Sequence, residues 1–241
     1  MGLDQKPTSI ADLVMVLTRT LQQAEQQEAA GSYVSNGTIN AIAKFLPTFT
    51  AANLALKVAE AERRSAKDAA DAAHSKLTIE VRNLRMQIRR QVRQGMLPSA
   101  LFTFYEIPRT GAVRYPHPQR EWLALAERLL AGDDQALQAG YPGWPARAAL
   151  EMATAAMRSA LERVQRADSN VRAARQNRTA LHSRAKRLCS DVVSELRFRL
   201  RHQPRAHVRQ VLHAHGLALG ERRTETAQLT TEQDEREAAH V

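Results

Sequence analysis

The sequence predicts an all-α protein in which two long antiparallel helices form a coiled-coil-like bundle with short capping helices and an internal duplication. The duplication is predicted because one apolar stripe, with spacings of four, three, four and four residues, occurs twice. Each stripe leads within a few residues to a proline, Pro98 and then Pro204. The composition also favours helices, because 44% of residues are hydrophobic but only 5% are aromatic. The two copies of the stripe are Leu77, Val81, Leu84, Ile88 and Val92, and Leu181, Ala185, Leu188, Val192 and Leu196.

The N-terminal segment predicts one amphipathic helix within residues 1–30. Thr8 or Ser9 has the position of an N-cap, and apolar residues then recur every three or four positions. A connector with two glycines follows the helix. Next comes a short apolar stretch to Leu46, which we expect Pro47 to interrupt.

Two segments without glycine or proline, 48–94 and 146–202, predict the long helices. Apolar and alanine positions recur along them at a spacing close to the coiled-coil period. Helices of this length are stable only where a partner helix covers their apolar seam. The predicted seams are Leu56, Ala59, Arg63, Ala66, Ala70, Ala73 and Leu77 in the first helix, and Ala149, Met152, Ala156, Ala160, Val164, Ala167, Val171, Ala174, Arg178 and Leu181 in the second.

The remaining segments predict shorter elements. Residues 119–131 have the pattern of an amphipathic helix that stops at Gly132, and a short helix containing Val208 follows Pro204. The predicted organisation is an N-terminal helix (1–30), a first helical repeat (31–107), a crossover loop (108–118), a second helical repeat (119–217) and a disordered polar tail (218–241).

Composition and charge indicate the cellular setting. The single cysteine, Cys189, excludes an internal disulfide framework and a multi-cysteine zinc site, and it fits a reducing compartment. The sequence contains neither a signal peptide nor a run of about 18 uncharged apolar residues that could cross a bilayer. We therefore expect a cytoplasmic protein without membrane contact. The net charge of +10 indicates attraction to nucleic acid, acidic proteins or anionic lipid, or reflects the arginine-rich composition alone.

Arginines form rows beside both apolar stripes. Spacings of three and four residues place the first row on one face of its helix, next to the buried stripe. Such rows can contact phosphates or a partner, or can lay their stems over the seam and pair with acids of a neighbouring helix. No interleaved aromatic residue, helix-turn-helix spacing or zinc finger indicates base readout. The candidate contact residues are Arg82, Arg85, Arg89, Arg93, Arg184, Arg187, Arg197 and Arg201.

No catalytic, cofactor-binding or metal site is predicted. His207, His213 and His215 do not have the three- or four-residue separations that helical metal ligands need, and we expect surface histidines. Phosphate-binding loops, nucleophile elbows and zinc-protease motifs are absent from the sequence. Cys189 is expected to be a packing residue, and the tyrosines and tryptophans are expected to plug the ends of the bundle.

The layout resembles duplicated, alanine-rich helical proteins of bacteria that have no assigned function. The resemblance spans residues 8–217. It implies a fold and no activity, so no site residue is carried over. The residues that carry it are Leu77, Val81, Arg82, Leu84, Arg85 and Ile88, the second copy of the stripe to Leu196, and the turn Gly143, Trp144 and Pro145.

The functional prediction is a non-enzymatic helical-bundle protein that serves as a structural or protein-interaction module. Its partner would be another protein or a second copy of the chain, since a homodimer could complete a four-helix core. The alternative is a protein that binds nucleic acid non-specifically through the arginine rows.

Overall fold

The computed structural model describes residues 9–26 and 32–217, and all regular structure in these residues is helical, which confirms the predicted class. None of the described helices has an apolar stretch long enough to span a membrane. The tail at 218–241, predicted to be disordered, lies outside the described residues. The described helices are α1 (Ile10–Gln26), α2 (Asn36–Arg93), α3 (Leu101–Phe104), α4 (Gln119–Gln138), α5 (Arg147–Arg199) and α6 (Arg205–Ala214).

Helix α2 continues through Pro47, so the expected interruption at this residue is wrong. Proline has no N–H for the carbonyl one turn earlier, but Pro47 is exposed, so water can reach that carbonyl. The hydroxyl of Thr50 donates to the carbonyls of Leu46 and Pro47, both at 2.9 Å. Phe45 and Phe49 are buried on either side of this turn. Their burial favours the helix and offsets the lost backbone hydrogen bond.

Helix α4 runs past Gly132 to Gln138, so the prediction that the glycine ends this helix is wrong. A Cβ at this position would lie 1.9 Å from the carbonyl oxygen of Phe104 in α3. Gly132 is therefore present because α3 approaches α4 too closely for a side chain, and it does not act as a helix terminator.

The chain divides into two compact units. Unit 1 comprises Met1–Ala55 and Arg175–Val241, and unit 2 comprises Leu56–Ala174. Each unit contains one part of α2 and one part of α5, together with segments from both predicted repeats.

The core of unit 1 contains the second copy of the apolar stripe. Its residues from Ala185 to Leu196 are buried against α1, the first part of α2, and α6. At the start of α2, the Glu195 carboxylate accepts hydrogen bonds from the Ser35 N–H at 2.5 Å and from the Thr38 hydroxyl at 2.6 Å. The stripe is therefore core, as predicted, and α5 holds the first turn of α2.

The core of unit 2 contains the first copy of the stripe. Leu77, Val81, Leu84 and Ile88 are buried together with residues of α3, α4 and α5. The predicted seam of α5 is wrong in its first two turns, because Met152 is 69% exposed and Ala156 is also exposed. These turns carry apolar residues on two faces, and the face that α5 buries is not the one that contains Met152 and Ala156. That buried face contains Leu150, Thr154 and Met157.

The alanine-rich part of unit 2 has a smaller core than the rest of the unit. Leu56 and Ala59 of α2 pack with Val171 of α5, and all three are buried as the seam predicts. The Nε of Arg63 donates to Asp168 at 2.5 Å, beside this contact. An arginine in the predicted seam is thus accommodated by an acid on the other long helix.

His215 is buried, so the expectation of a surface histidine is wrong here. It follows α6, and its Nδ1 lies 3.2 Å from the hydroxyl of Thr20 in α1. The Nε2 atom is buried without a described hydrogen-bond partner. Burial lowers the pKa of His215 to about 4.

The buried histidine predicts a loss of stability in mild acid. Between pH 6.5 and 4 the unfolded chain binds a proton at His215 that the folded chain does not, so the unfolding free energy falls with falling pH. We expect about 2 kcal/mol less stability at pH 5 than at pH 7.5 from this residue. Denaturant unfolding of wild type and His215→Gln, followed by circular dichroism at both pH values, measures the difference. Exposed His213→Gln is the control, and equal pH dependence in all three proteins would contradict the prediction.

Candidate functional surfaces

Three arginines of the first row contact the loop between α3 and α4. The Arg85 side chain is 4% exposed, and its Nη2 lies 3.6 Å from the Glu106 carboxylate. The Nη2 of Arg89 donates to the carbonyl of Gly111 at 2.7 Å. The guanidinium of Arg82 lies 5.4 Å from the centre of the Tyr115 ring. These side chains fold the predicted crossover loop against α2.

Burial also limits what the first row can bind. Burial lowers the pKa of Arg85, and its Nε is buried without a described hydrogen-bond partner. Arg93, the last member of the row, is exposed at the end of α2. The row as a whole is not an open phosphate surface, because Arg85 lies beneath the loop and Arg89 is bonded to it.

The second row belongs to unit 1 and is more accessible. Its four predicted members are all exposed on α5 or just after it. Two of them lie over aromatic rings, since the guanidinium of Arg184 is 5.2 Å from the ring centre of Phe45 and that of Arg201 is 4.6 Å from Phe198. The other two are Arg187 and Arg197.

The prediction from sequence missed Phe198. This residue is 65% exposed near the end of α5, although the apolar residues around it are buried. The signal was available in the alternation of arginine with Phe198 and Leu200. Leu200 lies one helical turn after Leu196, since its N–H bonds to the Leu196 carbonyl at 2.9 Å, and both are buried. Phe198 is on the opposite face of this turn and stays in solvent.

A buried carboxylate lies in the last part of α4 and accepts hydrogen bonds from neighbouring segments. Asp133 is 1% exposed and accepts hydrogen bonds from the Tyr105 hydroxyl, from the Trp144 N–H at 2.8 Å and from Arg147 at 2.9 Å. Burial and then the hydrogen bond to Asp133 raise the pKa of Tyr105. The carboxylate is fully used in holding α3, α4 and the turn before α5 together. Its role is therefore structural.

A cleft of about 240 Å³ opens beside this network in unit 2. Its walls include Ile88, Leu101, Tyr105 and Trp144. The Tyr105 hydroxyl is already bonded to Asp133, so the walls offer mainly apolar contact. Tyr105, Trp122 and Trp144 belong to the core of the unit.

Cys189 is buried and His207 is hydrogen-bonded in the structure. Cys189 is 2% exposed in the core of unit 1, and burial raises its pKa to about 12, which makes it an unreactive packing residue. The Nε2 of His207 lies 2.8 Å from the Tyr33 hydroxyl. Among the residues that the structure describes, no group of three or more His, Cys, Asp or Glu side chains could hold a metal ion.

Helix α2 carries an exposed row on the part that lies in unit 2. Every seventh residue from 58 to 86 is exposed and uncharged, so these positions share one face. Val58, Ile79 and Met86 are 48%, 55% and 64% exposed. We call this set the α2 row, and its members are Val58, Ser65, Ala72, Ile79 and Met86.

Comparisons with known proteins gave no relative. No family model, no curated protein and no solved structure matches the chain.

Proposed function

We propose that the protein is a non-enzymatic interaction module that binds a second copy of itself through the α2 row. The observation that carries the proposal is the heptad spacing of exposed, uncharged residues over 58–86. The seam between two paired helices repeats two apolar positions in every seven residues, and the α2 row has the spacing of one of these two positions. The buried seam of α2 lies on a different face, so the row is left for an additional helix.

The residues flanking the row favour an antiparallel copy of the chain. Glu62 and Lys76 are exposed and lie one heptad on either side of Ala69. An antiparallel pair of α2 helices centred near Ala69 brings each Glu62 opposite Lys76 of the second copy.

Charged members of the same face limit the strength of this contact. Asp68 and Arg82 lie between the heptad positions, and each must be desolvated in part when a second helix docks. The guanidinium of Arg82 is also near the Tyr115 ring. We therefore expect a weak, reversible dimer in the reducing cytoplasm that the single cysteine predicts.

The proposal includes antiparallel packing of α2 against α5 inside each unit. In unit 2, Arg63 contacts Asp168 while Ala59, earlier in α2, packs with Val171, later in α5. In unit 1, Phe45 lies under Arg184 while Thr38 bonds to Glu195, further along α5. Partner numbers fall as α2 numbers rise, which supports antiparallel packing in both units.

The proposal also includes the internal duplication. The first repeat (31–107) would contain α2 and α3, and α1 precedes it. The second repeat (119–217) would contain α4, α5 and α6, so each long helix lies between two short ones. Each unit combines the first part of one long helix with the second part of the other. If the two repeats of one chain exchange halves of their long helices in this way, the apolar stripe of each repeat becomes part of the core of a unit.

Charge reversal tests the proposed dimer. Glu62→Lys replaces two attractive contacts per dimer by repulsive ones, so we expect about tenfold weaker self-association. The double variant Glu62→Lys with Lys76→Glu restores the opposite charges and should restore the wild-type dissociation constant. Sedimentation equilibrium over a range of protein concentrations measures all three proteins.

A matched pair of apolar positions provides the control. Ile79→Asp should abolish self-association, whereas Met152→Asp on the exposed face of α5 should leave it unchanged. A wild-type chain that stays monomeric at the highest accessible concentration would contradict the proposal. If Ile79→Asp and Met152→Asp changed self-association equally, the α2 row would not be the interface.

Nucleic-acid binding along both arginine rows is the second candidate. The contacts of Arg82, Arg85 and Arg89 with the loop weigh against it in unit 2. The exposure of the second row favours it in unit 1 alone.

A further inference from the structure

We infer that the junction of α5 and α6 binds single-stranded nucleic acid, with Phe198 as a platform for a base and the surrounding arginines as phosphate ligands. This surface lies in unit 1 and does not involve the α2 row. It consists of the last turn of α5, the turn from Leu200 to Pro204, and the first two turns of α6.

The charge of this junction is entirely positive. From Arg197 to His213 the chain contains five arginines and no acidic residue. Arg199 is used internally, because its Nη1 donates to the carbonyl of Ser32 at 2.5 Å. The other four are exposed and form no salt bridge with a described residue, namely Arg197, Arg201, Arg205 and Arg209.

Glu195, the acid nearest to these arginines in sequence, forms no salt bridge with them among the described contacts. Glu195 is occupied by hydrogen bonds from Ser35 and Thr38, which lie at the start of α2. The guanidinium groups therefore remain available, and guanidinium groups bind phosphate oxygens in pairs of hydrogen bonds. Four such groups within a short junction give a local field that attracts a polyanion.

Phe198 distinguishes this surface from a simple basic patch. Its ring is exposed, and the guanidinium of Arg201 lies 4.6 Å from the ring centre, against one face. An aromatic ring beside arginines is the arrangement by which proteins stack unpaired bases while binding the adjacent phosphates. Paired bases are already stacked in a duplex, so the surface favours a single strand.

An anionic bilayer fits the junction less well. Membrane-surface helices bury a broad apolar face at the headgroup boundary. Here Leu200, Val208 and Val211 face the core of unit 1 and are buried, so Phe198 is the large apolar side chain that is left for insertion. A single exposed ring beside several arginines can stack on a base and bind its phosphates, but it offers little apolar surface to acyl chains.

Fluorescence anisotropy with labelled oligothymidylate of about 16 nucleotides tests the inference on the full chain. If about four phosphates are neutralised, affinity should fall roughly 50-fold between about 50 and about 200 mM salt. Phe198→Ala should weaken binding of the single strand at least about fivefold and leave binding of a duplex of the same length nearly unchanged.

Two triple variants with the same net charge separate local contact from overall charge. Glutamine at Arg197, Arg201 and Arg205 should weaken binding and reduce the salt dependence by about two units of slope. Glutamine at three exposed arginines outside unit 1 should change affinity less than about threefold, because none of them belongs to the junction and salt screens their remaining charge. These control positions are Arg90, Arg163 and Arg172.

Four results would overturn the inference. The first is absence of single-strand binding at the lower salt concentration. The second is equal weakening by the two triple variants, and the third is no effect of Phe198→Ala on single strands. The fourth is binding to phosphatidylserine vesicles but not to oligothymidylate, which would assign the surface to a membrane. The α2-row variants should bind oligothymidylate normally, so this test is independent of self-association.

Discussion

Replacing Gly132 with alanine is expected to destabilise unit 2 by about 3 kcal/mol. The new Cβ would lie 1.9 Å from the Phe104 carbonyl oxygen and 2.9 Å from its carbonyl carbon, so α3 and α4 must separate. Alanine normally stabilises a helix interior by about 1 kcal/mol relative to glycine, so the clash reverses the usual sign. Both tryptophans, Trp122 and Trp144, lie in unit 2, and their fluorescence during denaturant unfolding reports on this unit.

Gly143→Ala is the matched control for this substitution. A Cβ at residue 143 meets only the side chain of Leu137, at 3.0 Å, and that side chain is 48% exposed and free to move. We expect a change within about 0.5 kcal/mol. If Gly132→Ala were as stable as Gly143→Ala, the close approach of α3 to α4 would be wrong.

Replacing Asp133 with alanine is expected to cost about 3–5 kcal/mol. The substitution leaves the Tyr105 hydroxyl, the Trp144 N–H and part of Arg147 without their acceptor in a buried place. Unfolding followed by tryptophan fluorescence measures this loss, because the missing hydrogen bonds hold the turn that carries Trp144.

Asp134→Ala provides the control for the buried carboxylate. Asp134 also accepts a hydrogen bond from Arg147, at 2.6 Å, but its side chain is 54% exposed. The expected cost is at most about 1 kcal/mol. A double-mutant cycle of Asp133→Asn with Tyr105→Phe should show a coupling of about 1–3 kcal/mol, and purely additive effects would contradict the network.

Much of the fold could be predicted from local patterns. The period of apolar residues identified both long helices, and four residues of each stripe, from Leu77 to Ile88 and from Ala185 to Leu196, are buried. The hydroxyl of Ser9 accepts the Asp12 N–H at 3.1 Å, as expected of an N-cap. These features follow from the sequence because helical periodicity and capping depend on neighbours within a few residues.

The errors fall where distant residues decide. Pro47 remains inside α2 because the phenylalanines beside it are buried, and Gly132 remains inside α4 because α3 lies against it. Met152 is exposed because the first turns of α5 have two apolar faces and pattern alone does not select between them. His215 is buried because α1 packs on the segment that follows α6.

The candidate surfaces likewise depend partly on local sequence pattern and partly on tertiary structure. Arginine spacing alone determined that each row shares a helix face, since that depends only on the turn of a helix. Only the tertiary structure decided that Arg85 of the first row lies under a loop while the second row is open, because exposure depends on which distant segment covers a face. Phe198 is left in solvent for a local reason, because the helical period places it on the face opposite the buried Leu196 and Leu200.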